Sequence, residues 1–132
     1  SVRAWNRSAA KLDPLVALGA VAAPDPADAV RGAARVHLVL AEDTAVDAVL
    51  KGALPAIAPG TPILDHSTNL PERVAERAAR LRAAGHAYVH APVFMSPANA
   101  REGSGVMLFA GPQAEVDALA PALRAMTGKL WW

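Results

Sequence analysis

The chain has 132 residues, 53% of them hydrophobic and 19% charged, which excludes a disordered or low-complexity protein. Its 13 Lys and Arg against 12 Asp and Glu leave a formal net charge of +1, so nothing in the composition pulls it toward nucleic acid or an anionic membrane surface. Cysteine is absent, which excludes disulfides and thiolate metal sites and fits a reducing compartment. No apolar run approaches the roughly 18–20 residues of a membrane span. Ser1-Val2-Arg3-Ala4-Trp5 has no signal-peptide core, and the expected location is cytoplasmic. The length suits a single core.

Short β-type runs alternate with helical patterns along the chain. Val2–Trp5 reads as a first strand. A helix after Ser8 is shortened or kinked by Pro14. Asp25 can cap a helix that has Pro26 at its first position and runs to about Ala34. Val36–Leu40 is a continuous β-rich apolar run, as expected of a strand covered on both faces. Asp43 or Thr44 can cap the next helix, with Val46, Val49 and Leu50 on one face and its end at Gly52. Ala53–Pro62 is a loop, and Pro62–Leu64 is a strand before Asp65. The longest helix begins near Asn69, where Asn69-Leu70-Pro71-Glu72 has the form of a capping box. Val74, Ala78 and Leu81 form its apolar stripe, Glu76 and Arg80 are spaced for an i,i+4 pair, and Gly85 suits its C-terminal turn. Ala87–Val89 and Val106–Ala110 are strands, separated by an irregular small-residue segment. A final helix after Gly111-Pro112 is interrupted or restarted at Pro121, and Leu130–Trp132 opens a last strand.

Strand and helix alternating at this spacing predict βαβ units: an α/β fold with a mostly parallel sheet and helices on both faces. Ligands in such sheets lie at the carboxyl ends of the strands, so those exits hold the candidate residues. At the first exit, Asn6-Arg7-Ser8 contains no acid. An acidic residue at such an exit suits a free ribose 2′-hydroxyl, whereas Arg suits a 2′-phosphate; the plain alternative is a solvated Arg beside a Ser helix cap. At the third, Asp65-His66-Ser67-Thr68 offers hydroxyls to a ligand, or simply caps a helix. Phe94 and Met95 either wall an apolar pocket or belong to the core, and Asn99 either orients a substrate or caps a turn. His37, His66, His86 and His90 lack the spacing of a metal motif, so no metal is expected.

Four of these segments, in order, resemble the motifs of the β-hydroxyacid dehydrogenase family, which includes 3-hydroxyisobutyrate dehydrogenase; imine reductases are its relatives. Val2-Arg3-Ala4-Trp5-Asn6-Arg7-Ser8 is similar to the family's V-x-V-W-N-R-T, and Val36–Leu50 to D-V-V-I-L-x-L-P-D-D-x-A-V-x-x-V-L. Asp65–Glu72 is similar to D-x-S-T-x-x-P-E, and Tyr88–Gly111 resembles F-V-D-A-P-V-S-G-G-P-A-G-A-E-A-G-T-L-T-I-M-V-G-G in length and pattern. The resemblance covers essentially the whole chain. It implies a three-layer Rossmann-like fold and an NAD(P)-dependent oxidoreductase that moves hydride between nicotinamide and a small carbonyl or hydroxy substrate of the 3-hydroxyacid type. By position, Asn6, Arg7, Ser8, Leu40, Ala41, Glu42, Val46 and Thr68 would hold the cofactor, with Arg7 favouring NADP(H) over NAD(H). Ser67, Phe94, Met95, Ser96 and Asn99 would line the substrate side.

Three departures shape the expectation. The Gly-rich pyrophosphate turn, which would precede the first strand by about one βα unit, is not in the chain. None of Lys11, Lys51 and Lys129 aligns with the family's catalytic Lys, which lies on a helix beyond the last strand. Phe94 and Met95 replace small residues of the substrate loop, which implies a bulkier or less acidic substrate. With no initiator Met and a Trp131-Trp132 end, residues 1–132 are read as a partial NAD(P)-binding domain lacking its first βα unit, with a helical C-terminal domain outside the chain. The expected behaviour is an inactive piece of an enzyme whose full-length form is a homo-oligomer. The rival readings are a non-catalytic interaction or regulatory domain that keeps the fold, and an imine reductase.

Overall fold

A computed structural model describes all of residues 1–132. Strand β1 (Arg3–Ala4) leads through a 3-10 turn (Ala9–Leu12) into α1 (Asp13–Ala17), and β2 (Val21–Ala22) and α2 (Pro26–Val30) follow. Next come β3 (Val36–Leu38), α3 (Asp43–Ala53) with a 3-10 turn at Leu54–Ala56, β4 (Pro62–Asp65), α4 (Pro71–Ala83) and β5 (Ala87–His90). The remainder is β6 (Val93–Phe94), α5 (Pro97–Glu102), β7 (Val106–Leu108), α6 (Gln113–Arg124) and β8 (Lys129–Trp131).

β3, β4 and β5 form the central parallel ladder, with Leu38 opposite Asp65 and Asp65 opposite His90. β4 alternates between two cores, as the two-residue period of a strand requires. Ile63 faces one cluster, where Val36, Leu38 and Tyr88 meet Val46 and Leu50 of α3 and Leu81 of α4. Leu64 faces the other, where Val89, Met107 and Phe109 meet Val116, Leu119 and Leu123 of α6. Helices therefore cover both faces, and the three-layer α/β expectation holds. β7 pairs parallel with β8 and antiparallel with β6, and a bridge between His90 and Ala110 stitches this ladder to β5. β1 and β2 form a separate parallel pair, and no ladder joins β1 to β3. No helix is long and apolar enough to cross a membrane.

Several elements differ from the sequence expectation, each for a local reason. β3 ends at Leu38 because the Leu40 N–H turns away from the ladder to the Ser67 hydroxyl. The Asp25 cap forms, accepting the Asp28 N–H at 2.8 Å, but α2 stops at Val30, where Arg31 becomes extended. α3 is capped by neither Asp43 nor Thr44: Glu42 is the N-cap without a side-chain bond, and Asp43 sits inside the helix. The Asn69–Glu72 capping box does not form. α4 starts at Pro71 after Leu70, whose N–H is taken by Asp43 from α3, while the Asn69 amide is drawn to Asp65. Glu76 pairs with Arg73, and Arg80 instead reaches Asp47. α6 runs unbroken through Pro121, because the carbonyl it frees, on Asp117, lies on an exposed face where water can satisfy it. The segment after β5 is ordered: β6 and α5 fill it, and α5 carries a capping box between Ser96 and Asn99.

Candidate functional site

The β3 and β4 exits are built together. The Leu40 N–H donates to Ser67 Oγ at 3.0 Å, and the Ser67 N–H donates to Asp65 Oδ1 at 3.0 Å. Asp65 is fully buried at the end of β4; its Oδ2 accepts the Tyr88 hydroxyl at 2.7 Å and the Asn69 amide at 2.8 Å. Burial, then donation to Asp65, pushes the Tyr88 hydroxyl well above its ordinary pKa, so it stays a donor.

Behind this turn lies Arg77 of α4, 2% exposed. Its Nη2 donates to Asp43 Oδ1 at 2.9 Å and its Nε to Asp47 Oδ1 at 2.9 Å, while Nη1 lies 3.8 Å from Asp65 Oδ2. Desolvation works against its charge, but the bonds to Asp47, Tyr88 and Asp43 prevail and hold the guanidinium charged. Desolvation also pushes Asp43 up, yet the Leu70 N–H and Arg77 hold it below the usual carboxylate range. The Arg77 hydrogen bond does the same for Asp47. Sequence reasoning passed over Arg77. The available signal was a charged residue on the stripe of Val74, Ala78 and Leu81, where a buried cation demands acidic partners.

The β1 exit is different in kind. Asn6 Oδ1 accepts the Ser8 N–H at 2.9 Å, folding a tight turn around Arg7. Arg7 is exposed and makes no ion pair, unlike Arg3, which pairs with Asp28. Ser8 sits at the cap position of the 3-10 turn, as the plain reading expects, but its hydroxyl makes no capping bond. A cation and a hydroxyl without internal partners, side by side at a strand exit, fit a phosphate group.

The other expected residues divide. Ala41, Glu42 and Thr68 are exposed and Leu40 is half-buried, at adjoining exits. Val46 is fully buried in the α3 core, so its side chain packs against Leu38 and Ile63 rather than a cofactor. Ser67 is buried and its hydroxyl ties the two exits, which removes it from direct substrate contact. Ser96 and Asn99 form the capping box of α5, and the Asn99 amide nitrogen donates to Ser104 Oγ at 3.0 Å, so the turn-capping alternative holds for Asn99. Met95 packs on the second core and against Gly105, where an added Cβ would come within 2.8 Å of Met95 Cγ. Phe94, 69% exposed on β6, remains free to wall a pocket.

Three histidines gather near these exits. Arg35 Nε donates to His37 Nε2 at 3.1 Å, His37 Nδ1 lies 2.9 Å from His66 Nε2, and His66 Nδ1 lies 2.7 Å from the Ala91 carbonyl oxygen. His90 Nε2 lies 3.0 Å from the Ser67 carbonyl oxygen. No group of three His, Asp or Glu side chains is arranged to hold a metal ion.

A parallel α/β platform with its polar groups at the strand exits defines the class: a Rossmann-type dinucleotide-binding domain. The family described as the NAD binding domain of 6-phosphogluconate dehydrogenase matches residues 1–132, and the chain belongs to it, as the Rossmann portion of the β-hydroxyacid dehydrogenases. It is 33% identical over 129 residues to the cytokine-like nuclear factor N-PAC of Xenopus tropicalis, covering 96% of this chain and 24% of that protein. It is 35% identical over 118 residues to the NAD-dependent L-serine dehydrogenase of Pseudomonas aeruginosa, covering 87% of this chain and 40% of that enzyme. The solved structure of a Streptomyces aurantiacus imine reductase superposes with a TM-score of 0.87 at 31% identity, covering 98% of this chain and 45% of that one. The chain thus spans less than half of each of these relatives.

Proposed function

We propose that the chain holds the dinucleotide of an NADP(H)-dependent oxidoreductase acting on a small carbonyl or hydroxy substrate of the 3-hydroxyacid type. The observation that carries the NADP(H) preference is Arg7, exposed and unpaired beside the free Ser8 hydroxyl, with no acid at that exit. Asn6, Arg7 and Ser8 would hold the 2′-phosphate end. Leu40, Ala41, Glu42 and Thr68 would border the nicotinamide side, because Ser67 ties their two loops together. The nicotinamide supplies the hydride when bound. Phe94 would present an apolar wall to the substrate, favouring one bulkier or less acidic than a simple hydroxyacid.

The rest of the active site, including a proton-donating Lys and a helical domain through which the protein would form a homo-oligomer, is proposed to lie outside residues 1–132. The proposed compartment is cytoplasmic. Residues 1–132 alone are then expected not to turn over substrate. The likeness to the imine reductase favours C=N reduction as a second chemistry on the same cofactor platform. The likeness to N-PAC, a nuclear factor by name, favours a domain that keeps the fold without turnover.

The test is titration of NADPH and NADH into the full-length protein that carries residues 1–132, followed by tryptophan fluorescence, before and after Arg7→Asp. Charge-assisted hydrogen bonds of about 1.5–3 kcal/mol correspond to a preference for NADPH of about ten- to a hundredfold, which the substitution should abolish or reverse. An unchanged preference removes Arg7 from the site.

A further inference from the structure

We infer that Arg77 is a positioning residue for the dinucleotide, setting the spacing between the β3 exit and the β4 exit from within the core. The inference rests on the dinucleotide reading above and assigns a role to a side chain that would not itself touch the cofactor.

The contacts form a ring, hydrogen-bonded throughout except between Arg77 and Asp65, which face each other at 3.8 Å with the Tyr88 hydroxyl between them. Arg77 grips Asp43 through Nη2, and the other oxygen of Asp43 accepts the Leu70 N–H at 3.0 Å. On its other side Arg77 faces Asp65, whose Oδ1 accepts the Ser67 N–H. Ser67 Oγ then accepts the Leu40 N–H, three residues before Asp43. Tyr88 supports the ring by donating to Asp65. The residues proposed to border the nicotinamide, Leu40, Ala41, Glu42 and Thr68, all lie on the two loops this ring joins.

Packing does not explain the arrangement. Position 77 lies beside the apolar residues Val74, Ala78 and Leu81 of α4, on the buried side of the helix. Replacing a buried ion network by apolar side chains is often neutral or stabilising, so stability alone is a weak reason for an Arg here. A planar guanidinium can bind several carboxylates in fixed directions at once; neither an apolar side chain nor Lys can do so. Its effect is geometric: it sets where two strand exits end relative to one another. Binding sites depend on such support, because small displacements of the groups that touch a ligand weaken binding steeply.

The experiment compares Arg77→Lys, Asp43→Ala and Leu50→Ala in the full-length protein that carries residues 1–132, at a temperature where far-UV circular dichroism shows each fully folded. Arg77→Lys keeps the charge and loses the fork. Asp43→Ala leaves Arg77 paired with Asp47. Leu50→Ala destabilises the buried middle of α3 without touching the ring. Amide exchange at Leu40 and Leu70 is read alongside NADPH affinity. The expected result for Arg77→Lys and Asp43→Ala is exchange about tenfold faster at both amides and NADPH binding about tenfold weaker, a change of about 1.4 kcal/mol. For Leu50→Ala both readouts should stay close to those of the unchanged chain. Unchanged exchange and affinity in Arg77→Lys, or equal losses in Leu50→Ala, overturn the inference. If the unchanged full-length protein binds neither NADPH nor NADH, the dinucleotide reading fails and takes the cofactor part of the inference with it. The exchange data then decide separately whether Arg77 couples the two loops.

Discussion

Acidification should destabilise the fold well before its carboxylates titrate, and the cause is His37. Arg35 can only donate and the Ala91 carbonyl can only accept, so the chain of bonds between them has one allowed direction. His37 Nε2 accepts from Arg35, His37 Nδ1–H donates to His66 Nε2, and His66 Nδ1–H donates to Ala91. A second proton on His37 would point at the Arg35 N–H, and one on His66 would point at the His37 N–H. Desolvation, then His66 and Arg35, lowers the His37 pKa from 6.5 to about 4. The unfolded chain therefore takes up its proton near the ordinary value while the folded chain resists. The contribution to stability is complete above that ordinary value and is lost as pH falls toward the folded value. At pH 5 the shift corresponds to about 2 kcal/mol; because the ring is only part-buried, solvent screening reduces this to about 1 kcal/mol. Burial lowers the His66 pKa as well, adding in the same direction. Urea unfolding of the chain and of His37→Leu from pH 7.5 to 4.5 measures the effect. The unchanged chain should lose stability below about pH 6.5, and His37→Leu should lose less over the same interval. A flat profile in the unchanged chain, or an equal loss in His37→Leu, refutes the argument.

Two other substitutions test the packing and the capping. Leu50→Ala, at a side chain 1% exposed between α3 and the central ladder, should cost about 2–5 kcal/mol in urea unfolding. Asp25→Ala removes the acceptor for the Asp28 N–H and should cost about 1 kcal/mol, seen as a lower thermal midpoint with little change in the denaturant slope.

The order of strands and helices was legible because each run carried the right period and its own stop signals. β2 and β6 were not legible: two residues apiece, on mostly exposed backbone, leave no period to read. α5 was hidden for another reason. Pro97–Glu102 buries no residue, so it shows no apolar stripe, and it is held instead by the Ser96–Asn99 box and a left-handed Gly103. At Asn69 the same kind of box was expected and did not form, because the Asn69 side chain turns to the buried Asp65 and the helix starts one residue later, with Leu70 at its cap position. The site divides along similar lines. Arg7 could be read from its own short motif, since an exposed cation at a strand exit is a local property. Arg77 could not, since its acids come from α3 and β4, 12 to 34 residues away. Ser67 and Val46 were assigned by position in a motif, and burial then gave both of them internal partners.

The separation of β1 from β3 has a dynamic consequence. A two-stranded ribbon has little stability of its own, and this one lacks the backbone bonds that would tie it to the central ladder. Its attachment runs largely through α2, by the Arg3–Asp28 pair on one side and packing against α3 on the other. The ribbon should therefore open as a cooperative unit at lower free energy than β3–β5, exchanging its amides sooner. Arg7 lies in the turn that follows the first strand of that ribbon, and the Asp65 turn on the stable ladder. The proposed phosphate end of the surface and the proposed nicotinamide end thus belong to different unfolding units, and a dinucleotide spanning both would make them melt as one.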